Sequence, residues 1–143
     1  MKQIATIVAL AAMAIAAWAQ EPVEEGTAPP VTSYDLRATK YHPGMGGAGW
    51  VTASGARIDN KLLKAYKIRW VALSPDMFRE CGFRLGDTIN VECDRVDKLN
   101  GLWIVKDKMG PRTRRRIDFL LPKGDNYRFT SPTTVTIRKA TPE

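Results

Sequence analysis

The chain has 143 residues, of which 44% are hydrophobic, 26% charged and 8% aromatic, and its net charge is +7. This is the balance of an ordinary globular domain, which excludes a long disordered chain and a protein of many membrane spans. The surplus of 22 Lys and Arg over 15 Asp and Glu either suits an anionic polymer or simply keeps the protein in solution.

Met1-Lys2 is a short positive start, Ile4 to Ala16 is apolar apart from Thr6, and Ala17-Trp18-Ala19 is a small-x-small cleavage site. Residues 1–19 therefore read as a secretory signal peptide, too short for a stable membrane span. No cysteine follows the apolar run, so no lipid anchor is expected. The protein is expected in the periplasm or outside the cell, where nucleic acid is not a partner. Residues 20–33 (QEPVEEGTAPPVTS) lack a hydrophobic period and read as a flexible linker. Residues 34–140 are long enough for one core and no second domain.

Within that domain, alternation or short apolar runs predict strands at Tyr34–Ala38, Gly49–Thr52, Ile68–Leu73, Asp87–Cys93, Gly101–Lys106, Arg116–Leu121 and Thr133–Arg138. Two helical turns are expected, at Asn60–Tyr66 and Ser74–Phe78, the second with Ser74 as N-cap and Pro75 at the first helical position. About seven short strands with little helix make the fold mainly β, either a small closed barrel or a sandwich.

Three segments could carry chemistry. Tyr41 to Gly55 holds a glycine-rich loop (His42-Pro43-Gly44-Met45-Gly46-Gly47-Ala48-Gly49) between aromatics. It can bring backbone close to a ligand, or be only a surface loop. Gly86-Asp87 starts a strand, and Asp87 is expected to bond nearby backbone amides. Asp107 ends one predicted strand and Asp118 lies in the next, with the basic loop from Lys108 to Arg116 between them. If Ile117 and Phe119 face the core, Asp118 and Arg116 face outward. Two such carboxylates can differ in acidity and leave one protonated as a general acid. The surrounding arginines push the other way, toward a structural pair in a salt-bridged loop. Cys81 and Cys93, in an oxidising compartment, can form one disulfide or stay as two buried thiols. The single His42 cannot build a metal site alone, so no metal is expected.

Thr52-Ala53-Ser54-Gly55, Val71-Ala72-Leu73-Ser74-Pro75, Leu85-Gly86-Asp87-Thr88, and Lys106-Asp107 through Ile117-Asp118-Phe119 occur in that order. In order and spacing they resemble the double-psi β-barrel family, which includes rare lipoprotein A, the three-aspartate domain of cell-wall lytic enzymes and the barrel of membrane-bound lytic transglycosylase A. The eleven-residue step from Asp107 to Asp118 is similar to that of the paired aspartates of the three-aspartate domain. Ser74 stands where that pattern has its first aspartate, and the histidine of rare lipoprotein A has no counterpart nearby.

The resemblance implies a six- to seven-stranded double-psi barrel with one or two short helices. It also implies a groove that binds peptidoglycan glycan strands and cleaves the β-1,4 bond after N-acetylmuramic acid. Asp118 would be the general acid and Asp107 its neighbour. Tyr41, Trp50, Thr52, Ser54, Gly55, Ser74, Arg112 and Arg116 would contact substrate. A monomer needing no cofactor is expected. The alternative is a noncatalytic carbohydrate- or envelope-binding module using the same groove, with Trp50, Trp103 and Tyr41 as stacking platforms.

Overall fold

A computed structural model describes Gly26 and residues 30–141. The expected signal peptide and most of the expected linker lie outside the described residues. Six strands make a closed barrel: β1 (Tyr34–Tyr41), β2 (Trp70–Leu73), β3 (Thr88–Glu92), β4 (Gly101–Lys108), β5 (Arg116–Leu120) and β6 (Thr133–Lys139). Their order around the barrel is β1-β5-β2-β4-β3-β6, so every strand has two neighbours and no edge is left unpaired. β1 runs parallel to β5 and β2 parallel to β4, and the other contacts are antiparallel. Two five-residue helices, α1 (Asn60–Lys64) and α2 (Pro75–Arg79), flank β2. Among the described residues no helix is long and apolar enough to cross a membrane.

Alternation sorts the side chains. Val71, Leu73, Ile89, Val91, Val105, Ile117, Phe119 and Ile137 are fully buried in the barrel, each favoured in a strand and pointing to one face of it. Trp103, expected as a stacking platform, is instead buried in the core: it meets Phe119 edge-on at 4.8 Å between centroids, and its indole N–H donates to the Leu99 carbonyl at 2.8 Å. The strand predicted at Gly49–Thr52 is not one. Val51 makes a single bridge to Arg57 across a tight turn, because Ser54-Gly55 reverses the chain too soon for a ladder. Gly55 occupies that turn with φ +84°, a conformation that suits glycine.

One feature of the connections positions the site. β5 lies between β1 and β2, so the chain from Tyr41 to Trp70 must travel outside the barrel. A small second core pins this excursion: Ile58, Leu63 and Ile68 close over Leu120, the outward-facing last residue of β5. α1 begins there because Asp59 caps it, accepting from the Lys61 and Leu62 N–H groups at 2.9 and 3.1 Å.

Ser74 and the cysteines correct the sequence reading. Ser74 makes no side-chain cap on α2; it is fully buried, and its Oγ accepts the Arg116 N–H at 3.0 Å. A hydroxyl enclosed in that way cannot touch a substrate. The disulfide is not formed. Cys81 and Cys93 are free thiols, and the buried Cys93 points its Sγ at the Thr134 carbonyl, 3.9 Å away.

Candidate functional site

Strand register places four residues in one row across β1, β5, β2 and β4. Thr39 lies opposite Asp118, Asp118 opposite Ala72, and Ala72 opposite Asp107. The two aspartates stand on strands separated only by β2, so their backbones are about 10 Å apart. Ala72 leaves the space between them open, since it offers only a methyl group. Asp118 faces outward because its neighbours Ile117 and Phe119 face the core.

Asp107 reaches the same face by a different route. Trp103 and Val105 are buried in the barrel, so unbroken alternation would turn Asp107 inward as well. The register slips instead. Val71 faces Val105 but the next residue, Ala72, faces Asp107, which leaves Lys106 as one extra residue on β4. Such a bulge re-aims the following side chain. The 51–57 turn braces it: the Ser54 N–H donates to the Lys106 carbonyl at 3.1 Å, and the Ala53 N–H to Asp107 Oδ1 at 2.9 Å.

The two carboxyls sit in unlike surroundings. Asp107 is an acceptor for three donors: the Ala53 and Lys108 N–H groups, each at 2.9 Å on Oδ1, and the Tyr41 hydroxyl at 3.4 Å on Oδ2. Asp118 has one strong donor, the Thr39 hydroxyl at 3.0 Å, and no ion pair among the described residues. Burial therefore dominates and raises the Asp118 pKa from 3.8 to about 6; Thr39 opposes the rise, Asp107 adds to it, and His42 opposes it. Burial, then the charges of Asp107 and Asp118, hold the Tyr41 hydroxyl far above its usual range. Tyr41 thus keeps its proton and serves in this site as a hydrogen-bond donor.

Both aspartates line a cavity of about 820 Å³. Tyr41, His42 and Lys40 form one wall, the glycine-rich loop from Met45 to Gly49 another, and Lys108 to Gly110 the far side. The loop is folded back on itself, with the Gly44 N–H donating to the Ala48 carbonyl at 2.8 Å. Its root is fixed by His42, whose Nδ1 lies 2.9 Å from the Leu121 carbonyl. A carbonyl can only accept, so that nitrogen carries the hydrogen. The other ring nitrogen faces the enclosed Asp125 carboxylate at 3.6 Å, which also takes Lys40 Nζ at 3.0 Å and the Tyr127 N–H at 2.8 Å.

The other sequence candidates are scattered. Thr52, Ser54 and Gly55 build the turn that braces Asp107, Thr52 being buried with its Oγ1 2.8 Å from Ser54 Oγ. Trp50 is exposed but borders a separate, smaller pocket. Arg112 and Arg116 do not line the main cavity. Arg114 pairs with Glu80 at 3.4 Å, and the Arg115 N–H donates to Asp76 at 3.1 Å. Asp76 itself is buried. Burial alone would raise its pKa, but Ser74, the Arg115 N–H, its own backbone and Arg114 together lower it below 3.8. It braces the start of β5 and supplies no third acid to the cavity. Among the described residues no three His, Cys, Asp or Glu side chains come together as a metal site would need.

No family model matches the chain, and no curated protein matches it.

Sequence reading did not assign His42, Lys40 or Ala72 to this cavity, nor Thr39 to Asp118. Thr39 and Lys40 carry no local signal, because their place depends on β1 pairing in parallel with β5, some 80 residues further on. Ala72 could have been found from the alternation of β2, where a small outward residue sits between two large inward ones.

Proposed function

We propose that the protein is an exported glycosidase-like enzyme of the lytic transglycosylase type, acting on the glycan strands of peptidoglycan with Asp118 as general acid. The observation that carries this reading is a half-buried carboxyl with a pKa of about 6 at the wall of a large open cavity, with a second carboxyl pinned across from it. An acid that keeps its proton near neutral pH can give it to a leaving group there. The resemblance to the double-psi β-barrel family supports the choice of substrate.

In this mechanism Asp118 donates its proton to the glycosidic oxygen as the bond from C1 of N-acetylmuramic acid to that oxygen breaks. The 6-hydroxyl of the same sugar attacks C1 and closes a 1,6-anhydro ring. Its proton passes to the Asp118 carboxylate, which restores the acid without water being consumed. A hydrolase would need a second carboxylate to activate water or form a covalent intermediate. Here Asp107 is occupied by three donors and acts as a fixed negative neighbour, holding the Tyr41 hydroxyl in place.

The test is mass spectrometry of soluble products released from purified sacculi by the wild-type protein and by Asp118→Asn. Anhydro-muropeptides, lighter by one water than hydrolysis products and absent with the variant, are expected. A second reading, a noncatalytic envelope-binding barrel, is favoured by the exposed Trp50 lying outside the cavity. Retention of the folded protein on pelleted sacculi with no release of product would decide for it.

A further inference from the structure

A second pocket, of about 270 Å³, lies on the other side of the glycine-rich loop and is bordered by Pro43, Trp50, Asn60, Lys64 and Lys123. That volume has room for one sugar ring. The loop serves both spaces: His42 and Met45 to Gly49 face the central cavity, while Pro43 and Trp50 face the side pocket.

Trp50 is exposed but not loose. Its carbonyl accepts the Ile58 N–H at 2.8 Å, and Ile58 is buried in the small core under α1. Its ring lies against Gly44, where a Cβ would come within 3.3 Å of the indole nitrogen. Glycine at that position lets the ring settle on the backbone. An aromatic face held in this way is preorganised for stacking, because little freedom is lost when a ligand arrives.

The polar lining has one sign. Lys64 ends α1, and Lys123 sits in the turn closed by the Asp125 N–H on the Pro122 carbonyl at 3.0 Å. Neither lysine has a carboxylate partner among the described residues, and the Asn60 side chain makes no hydrogen bond among them. Lys40, by contrast, is neutralised by Asp125. Two ammonium groups without a carboxylate partner and an amide border the aromatic face, a lining whose charge suits an anionic ligand.

We infer that this pocket is a saccharide subsite that selects a sugar ring bearing a carboxylate, the ring stacking on Trp50 and the carboxylate lying between Lys64 and Lys123. The choice of ligand rests on the peptidoglycan reading above, where N-acetylmuramic acid is such a sugar and N-acetylglucosamine is its counterpart without the lactyl carboxylate. A strand crossing the glycine-rich loop would then place an acidic sugar beside the cavity that holds Asp118.

The test uses ¹⁵N-labelled protein and follows the Trp50 indole N–H, assigned with Trp50→Phe, during titration with N-acetylmuramic acid and with N-acetylglucosamine. The acidic sugar is expected to bind about fivefold or more tightly, the contribution two rim charges can make, and the preference should shrink as salt is added. In the double variant Lys64→Gln, Lys123→Gln the two sugars should bind alike, with the neutral sugar's affinity unchanged. Equal affinities in the wild type, a preference that survives in the double variant, or a silent Trp50 indole would each overturn the inference. The readout is binding, so the two proposals fail separately. Preference at Trp50 with no anhydro product from sacculi removes the enzyme and keeps the subsite. Anhydro product with a silent Trp50 does the reverse.

Discussion

If burial rather than a satisfying partner sets the state of Asp118, replacing it should stabilise the protein. Its carboxyl is held at about 6 against an ordinary 3.8, so the folded chain binds that proton more tightly than the unfolded chain does. Below pH 3.8 the group is protonated in both states and costs nothing. Between 3.8 and 6 the unfolded chain releases the proton first, and stability falls as pH rises. Above 6 the full cost of an ionised, partly desolvated carboxylate is present, about 3 kcal/mol. Solvent still reaches this half-buried side chain, so roughly half of that is a fair expectation. Asp118→Asn keeps an acceptor for the Thr39 hydroxyl and never ionises.

The variant should therefore be more stable than wild type by about 1.5 kcal/mol at pH 7.5 and nearly equal to it close to pH 4. Urea unfolding at the two pH values, read from the fluorescence of the buried Trp103, measures this. At a slope typical of a small domain the midpoint moves by about 1 M at the higher pH. Destabilisation at pH 7.5, or the same difference at both pH values, would refute the reasoning. It would mean that Asp118 is a structural clasp whose charge the fold already satisfies.

Four further outcomes follow from the same geometry. Asp107→Ala removes the acceptor shared by the Ala53 and Lys108 N–H groups; it should cost about 1–3 kcal/mol and speed hydrogen exchange at those two amides. Ala72→Val puts branched carbon between the aspartates at a buried position; a loss of about 1–3 kcal/mol in urea unfolding is expected, and release of anhydro-muropeptides from sacculi should be lost at a temperature where circular dichroism shows the variant folded. Ser74→Ala leaves the part-buried Arg116 N–H without its acceptor; a loss of about 1–3 kcal/mol in urea unfolding is expected. Reducing agent should leave the melting temperature unchanged, and two thiols should react with a thiol reagent once the chain is unfolded, because Cys81 and Cys93 are not joined.

The legible part of this protein was the part governed by a period of two. Ile117-Asp118-Phe119 and Asp87 to Cys93 alternate without interruption, and the structure follows them, with the outward Asp118 as alternation requires. Asp107 was named for its place at a strand end, but its orientation was not legible, because the extra residue at Lys106 breaks the period in a register set by β2. Ser74 carried the ordinary signature of a helix cap. Its hydroxyl was taken instead by the Arg116 N–H, 42 residues away, a competition that no local pattern records. The arginine run misled in the same way. The charges were expected to favour a salt-bridged pair, but none of them pairs with Asp118: Arg114 turns to Glu80, and Arg115 gives only its backbone N–H, to Asp76.

What separates the two aspartates is the number of donors each strand environment brings, and that number follows from topology. The excursion between β1 and β2 returns a turn to β4, where backbone N–H groups are available, and so Asp107 receives two of them. Around Asp118, β5 is flanked by β1 on one side and, from Ile117 to Phe119, by β2 on the other, and its neighbours' backbone groups are spent on the ladders. Only a side chain can then reach Asp118, and the row offers Thr39 on one side and Ala72 on the other. A hydroxyl and a methyl group cannot offset the loss of water around a carboxylate. A row of four residues on adjacent strands therefore holds one carboxyl as a fixed acceptor and the other as an acid near neutral pH.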